Sequence, residues 1–164
     1  MSLPLRAGAR LYPPFYLTPR LSGQLLRKVE NLSSARWAPN PFPAAKGRTP
    51  AQKKGLAFER AVGKRLGLTP SAQAVKFVDA FGESLAIPDF ILLEKKIVVE
   101  VKLSFTLSGV DQLELLYLPL LRKLVPGDWR GVLVCKFWKG EPRPLISKLD
   151  DAGPGLSFLL GLPR

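Results

Sequence analysis

Two carboxylates and a lysine stand at spacings that β-structure can bring together: Asp89 follows Pro88, and Glu100 and Lys102 are separated by one residue. Ile97, Val98, Val99 and Val101 surround Glu100 with the apolar character of a buried strand, and residues two apart on a strand project from one face. The segments on either side of Glu94-Lys95-Lys96 read as a β-hairpin. With Lys95-Lys96 as a two-residue loop, Leu93 falls opposite Val98 and Asp89 opposite Lys102, so all three head groups share a face. A three-residue loop would shift the pairing by one and require a bulge. Carboxylates converging beside an ammonium group make a poor core but suit a Mg²⁺ site, with Mn²⁺ as a substitute. Asp89 and Glu100 supply hard oxygens there, the carbonyl of Val101 points sideways as a further ligand, and waters complete an octahedron. Lys102 then orients or helps to deprotonate an attacking water and offsets charge on a phosphorane-like transition state. The chemistry implied is phosphodiester hydrolysis.

Composition narrows the alternatives. The sequence contains no histidine, which removes Ser-His and Cys-His nucleophilic catalysis and His-ligated zinc within one chain. The single Cys135, in an apolar run, excludes a disulfide scaffold and a cysteine zinc site and favours a reduced, intracellular setting, here expected to be the cytoplasm. No apolar run is long enough to span a bilayer, and the first residues lack a signal-peptide layout, so no membrane partner is expected. The 25 basic and 13 acidic residues give a net charge of +12, which points to a polyanionic partner, nucleic acid or an anionic membrane surface. Residues 1–54 hold ten basic side chains and one acid, Glu30, so most of the excess lies at the front of the chain.

The elements that must position the triad can be read around it. Residues 1–48 are rich in proline and arginine and read as a basic arm, with one short helix over 18–30 and with Tyr12, Phe15, Tyr16 and Trp37 among the cations. Residues 49–164 form the domain proper. A helix begins at Thr49-Pro50 and ends at Gly67, with Phe58, Val62 and Leu66 on its core face and Glu59 at the edge of that face. Strands are expected over 74–79, 87–93 and 97–105, then a helix over 108–124 started by Ser108 and Asp111 and kinked at Pro119. The leucines of that helix surround nearly its whole circumference, which suggests a contact between two copies of the chain. A strand over 132–138 and an apolar tail over 156–162 complete an α/β fold, a mixed central sheet flanked by helices.

Pro88-Asp89, Glu100 and Lys102 resemble the defining residues of the PD-(D/E)xK nuclease superfamily, whose core is restriction-endonuclease-like. More narrowly, Lys54-Gly55-Leu56-Ala57-Phe58-Glu59-Arg60 is similar to the helix that opens archaeal-type Holliday junction resolvases, and the resemblance spans residues 53–138. It implies that Glu59 joins the metal site, directly or behind the ligands. It implies that Gln112 on the following helix matches the family's glutamine, that Lys136-Phe137 matches a strand ending in lysine and an aromatic, and that Ser84 is the serine of the loop before the motif aspartate. The activity implied is paired nicking of four-way DNA junctions by a homodimer. Lys53, Lys54, Arg60 and the arm, including Arg48, would contact phosphates. The loop at 81–87 is less rich in glycine and serine than the family's, and the long arm departs from its pattern.

Three alternatives stand beside this reading. A RecB- or Cas4-like exonuclease would carry Q-x-x-x-Y after the lysine. Here Gln112 and Tyr117 have four residues between them, which on an α-helix sets them about 140° apart. A restriction-type endonuclease shares the triad. A non-catalytic DNA-binding protein would gain from losing Asp89 and Glu100 near phosphate.

Overall fold

The computed structural model describes residues 29–40, 49–68, 73–80, 82–139 and 144–164. Most of the helix expected over 18–30, the aromatics Tyr12, Phe15 and Tyr16, and Arg48 lie outside them. Val29 and Glu30 are helical, and Val29 is buried in the core. Within the stretch expected to be an arm, Ser34–Pro39 is instead a strand, β1, because Ala35 and Trp37 alternate inward onto the core while Arg36 faces out.

Helix α1, Pro50–Leu66, follows the expected design. The Thr49 hydroxyl accepts from Gln52 N–H and the Gln52 side chain accepts from Thr49 N–H, a reciprocal capping box, and Gly67 closes the helix at φ 67°. Three antiparallel strands form a first sheet in the order β1-β2-β3, with β2 at Gln73–Asp79 and β3 at Gly82–Ala86. Strand β3 occupies most of the loop expected over 81–87. The strand expected over 87–93 is only Phe90–Leu92, β4, because Pro88 has no N–H to give a ladder.

The second sheet holds β4, β5 (Ile97–Ser104), β6 (Arg130–Phe137), β7 (Leu145–Ile146) and β8 (Gly155–Leu160) in the order β4-β5-β6-β8-β7. Strands β4 and β5 are antiparallel, and the other neighbours are parallel. The apolar tail is thus β8, laid along β6. Pairing of Phe90 with Val99, Ile91 with Val98 and Leu92 with Ile97 centres the hairpin turn on Glu94-Lys95. That centre is one residue earlier than expected. Leu93 C=O accepts from Lys96 N–H at 3.2 Å, and Lys96 takes a left-handed φ of 51° while its own carbonyl accepts from Arg130 N–H at 2.8 Å.

Between β5 and β6 runs one helical rod: α2, Leu107–Asp111; a π-helical segment, Gln112–Tyr117; and α3, Leu118–Leu124. Its cap is Thr106, whose hydroxyl accepts from Gly109 N–H, and not the expected Ser108. The break falls one turn before Pro119: Leu118 N–H reaches back five residues to Leu113 C=O. The apolar circumference of the rod has an intramolecular cause. Leu113, Leu116, Leu118, Leu120 and Leu121 are buried in one cluster that includes Val98, Leu133 and Cys135 of the second sheet and Val75, Phe77 and Ala86 of the first. The rod lies between two sheets, so its leucines give no support to a contact between copies. Helix α1 covers the other face of the second sheet, with Phe58 and Val62 against Ile97, Val99, Val101, Val132 and Val134. Among the described residues no helix is long and apolar enough to cross a membrane. The architecture is α/β, with sheets flanked by helices.

Candidate functional site

Even numbers along β5 face the rod and odd numbers face α1, which puts Glu100 and Lys102 together on the rod side. Glu100 is 3% exposed, and its Oε1 accepts from Lys102 Nζ at 2.6 Å. Its second oxygen, Oε2, is buried with no hydrogen-bond partner among the described residues. A buried carboxylate oxygen left without a partner costs about 1–3 kcal/mol or more, so this position is suited to a cation. Lys102 keeps 28% of its side chain exposed, and the rod starts close over it: a Cβ on Gly109 would stand 3.4 Å from Lys102 Cγ and 3.0 Å from Leu133 Cδ1.

Asp89 does not lie opposite Lys102. Carried one residue past β4, the observed register sets it level with Glu100. Moving the turn centre by one residue moves the register by two, so the face is preserved and the carboxylates stay neighbours. Asp89 sits in the bend before β4, half-buried, with Oδ2 accepting from Val101 N–H at 2.8 Å. Its carboxylate takes the place of the strand partner that β4 would have supplied. The N–H and C=O of one strand residue point to the same edge, so the Val101 carbonyl faces this edge too, as expected. Burial first, then the charges of Glu100 and Glu59, push Asp89 well above the usual carboxylate range, against the pull of Lys102 and of the Val101 N–H. Glu59, half-buried on α1, thus acts on Asp89 across the sheet edge.

Asp89, Glu100 and the Val101 carbonyl form a set of hard oxygens. Among the described residues no three acidic or thiol side chains group closely enough to hold an ion by themselves. Mg²⁺ commonly takes one or two carboxylates and keeps its waters, so this set fits it, with Mn²⁺ as the substitute.

The other candidates are placed as follows. Lys53, Lys54 and Arg60 are exposed on α1, on the helix that carries Glu59. Ser84 is on β3 in the first sheet, buried and paired with Phe77, rather than on a loop. Gln112 opens the π-helical segment, and there the structure differs from the α-helical expectation. Bonding over five residues stacks Gln112 and Tyr117 on one side, and Gln112 Nε2 lies 3.5 Å from the Tyr117 hydroxyl. The 140° separation does not hold.

Tyr117 is the residue that sequence reasoning missed. Its hydroxyl donates to the Ile87 carbonyl at 3.2 Å, two residues before Asp89, and so ties the Pro88-Asp89 bend to the rod. The signal was the pairing with Gln112, hidden by the assumption of α-helical spacing. Cys135, beside Lys102 in register, is buried, and burial pushes its thiol up to about 11. That fits a packed core thiol and not a nucleophile.

The class that fold and site define is an α/β protein with two carboxylates and a lysine at the edge of a mixed sheet. Compared with protein-family models, with curated proteins and with solved structures, the chain finds no match.

Proposed function

We propose that the chain is a divalent-metal-dependent DNA nuclease that hydrolyses phosphodiester bonds at the Asp89–Glu100–Lys102 edge. The observation that carries this reading is Glu100, a buried carboxylate level in register with Asp89, with one oxygen on Lys102 Nζ and the other unpartnered among the described residues. Asp89, Glu100 and the Val101 carbonyl would hold Mg²⁺ or Mn²⁺, which supplies Lewis-acid polarisation of the phosphate. Glu100 Oε1 holds Lys102 Nζ at 2.6 Å, and from there Lys102 would orient the attacking water and offset charge gained by the phosphoryl oxygens. Lys53, Lys54 and Arg60 give α1 an exposed basic surface for neighbouring phosphates. The succession of helix, strands, hairpin, helix and parallel strand agrees with a restriction-endonuclease-like core and supports the resemblance on which the substrate rests. That resemblance favours a four-way DNA junction nicked on two strands by a homodimer, whose pairing surface is then not the buried leucine rod.

A second reading is favoured by one observation. The contact of Gln112 with Tyr117 restores, through the π-helical turn, the shared face that a Q-x-x-x-Y motif has on an α-helix. This supports a RecB-like exonuclease acting on single strands. Labelled four-way junction, linear duplex and single strand, each with Mg²⁺ or with chelator, separate the two. Symmetric paired nicks confined to the junction support resolution, and digestion from strand ends supports the exonuclease. Binding without cleavage under any divalent ion overturns both.

A further inference from the structure

Beyond the triad, the face of the second sheet that carries Glu100 and Lys102 ends in exposed apolar side chains. Phe137 closes β6 on that face and is 59% exposed. It pairs in register with Ser104, two residues on from the Lys102–Cys135 pair. From the usual strand spacing and rise, its Cα lies about 8 Å from that of Lys102. On the next strand Leu160, the register partner of Cys135, is 41% exposed on the same face. Leu107, at the start of the rod, is 61% exposed.

The end of β6 is anchored beneath this surface. Trp138 packs on Phe105 with ring centroids 3.6 Å apart and meets Phe158 edge-on at 5.4 Å, and Gly161 N–H donates to the Cys135 carbonyl at 2.7 Å. Phe137 is therefore presented on an anchored strand end and does not fold into the core. A second charge marks it: Lys136 Nζ stands 5.4 Å from its ring centroid, and exposed Lys139 follows. An exposed ring flanked by ammonium groups matches a base with its phosphate, whereas the cations disfavour an apolar protein surface.

We infer that Phe137, with Lys136 beside it, is a stacking platform for an unpaired nucleobase of a DNA strand whose neighbouring phosphate lies at the Asp89–Glu100–Lys102 edge. The inference rests on the nuclease reading for the position of that phosphate. It deepens the reading by adding a preference for unpaired bases next to the cut.

The test uses the full chain in chelator, so that binding is read without cleavage. Labelled oligothymidylate about 12 nucleotides long is compared by fluorescence anisotropy with an abasic strand of equal length and charge. Wild type is expected to bind oligothymidylate at least about fivefold tighter than the abasic strand. Phe137→Ala should remove that difference and leave abasic binding unchanged, and Phe137→Tyr should keep it. Equal wild-type affinities, or an unchanged preference in Phe137→Ala, overturn the platform. So does a Phe137→Ala variant that shifts sedimentation from dimer to monomer with its base preference intact, because the face is then an interface between copies. Cleavage with Mg²⁺ or Mn²⁺ is scored separately. Base preference without cleavage supports the platform and sinks the nuclease reading, and cleavage without base preference does the reverse.

Discussion

Replacing Asp89 by asparagine isolates the charge of the site from its shape. Asp89 is raised well above 3.8, by burial first and then by Glu100 and Glu59. Between that ordinary value and the raised one, the folded chain binds the proton more tightly than the unfolded chain. The stability contributed at Asp89 is thus full at acid pH and falls as pH rises through the window. Each pH unit of elevation costs the ionised, metal-free form about 1.4 kcal/mol. The amide carries no charge, keeps an oxygen to accept the Val101 N–H, and can donate to neighbouring carboxylates. In chelator at about pH 7.5, Asp89→Asn should therefore melt above wild type. Each kcal/mol of that cost removed by the amide is worth roughly 2–4 °C for a chain of this size. Saturating Mg²⁺ should reverse the order. At about a hundred times Kd it adds about 2.7 kcal/mol to wild type, or roughly 5–11 °C, and little to the variant. Circular-dichroism melts with EDTA and with MgCl₂, repeated near pH 5.5 where the apo difference should shrink, check each step. A variant less stable than wild type in EDTA, or one that keeps the full Mg²⁺ shift, would refute the reasoning.

Lys102→Ala should abolish cleavage with DNA binding largely retained. It should also cost about 2–3 kcal/mol in chemical denaturation, because it strands the Glu100 carboxylate while Lys102 is itself partly solvated. Tyr117→Phe removes the hydrogen bond to the Ile87 carbonyl and should cost about 1 kcal/mol, or roughly 2–4 °C. It should weaken the Mg²⁺ shift more than a same-sized loss elsewhere, since it loosens the bend that carries Asp89; an unchanged shift refutes the tie. Cys135, buried and with its thiol near 11, should resist a disulfide reagent at about pH 8 in the folded chain and react promptly in denaturant. Fast reaction of native protein would place it elsewhere.

Local chemistry made α1 legible from the sequence: Thr49, Pro50 and Gly67 each act within a turn of their own position. The charge chemistry of Glu100 and Lys102 was legible for the same reason, since strand alternation fixes their common face. Strand β3 was not, because Gly82, Glu83 and Ser84 have little strand preference and pair only because β2 is already beside them. The hairpin turn was ambiguous because Glu94-Lys95-Lys96 offers two centres of nearly equal polarity. Contact of Lys96 with Arg130, on a strand more than thirty residues away, accompanies the centre adopted. The rod misled twice. Its leucines exceed what one sheet can bury because they meet two, and α-helical spacing misplaces Gln112 and Tyr117 because the turn before Pro119 is wider.

The same locality explains why the expected chemistry tolerates the wrong register. A strand pairing that slips by one residue exchanges faces, but moving a turn centre by one slips the pairing by two. Asp89 therefore changes its opposite number from Lys102 to Glu100 without leaving their company. What decides its final position is not the ladder but its absence. Pro88 cannot donate and β4 starts only at Phe90, so the edge of β5 at Val101 is left with an N–H and a C=O that no backbone meets from β4. The Asp89 carboxylate satisfies the first. The second is turned to the same side, on the residue after Glu100, whose Oε2 is buried without a partner among the described residues. A small, hard cation would satisfy such oxygens together, and it is the interruption of β4 that leaves the Val101 carbonyl without a partner from that strand.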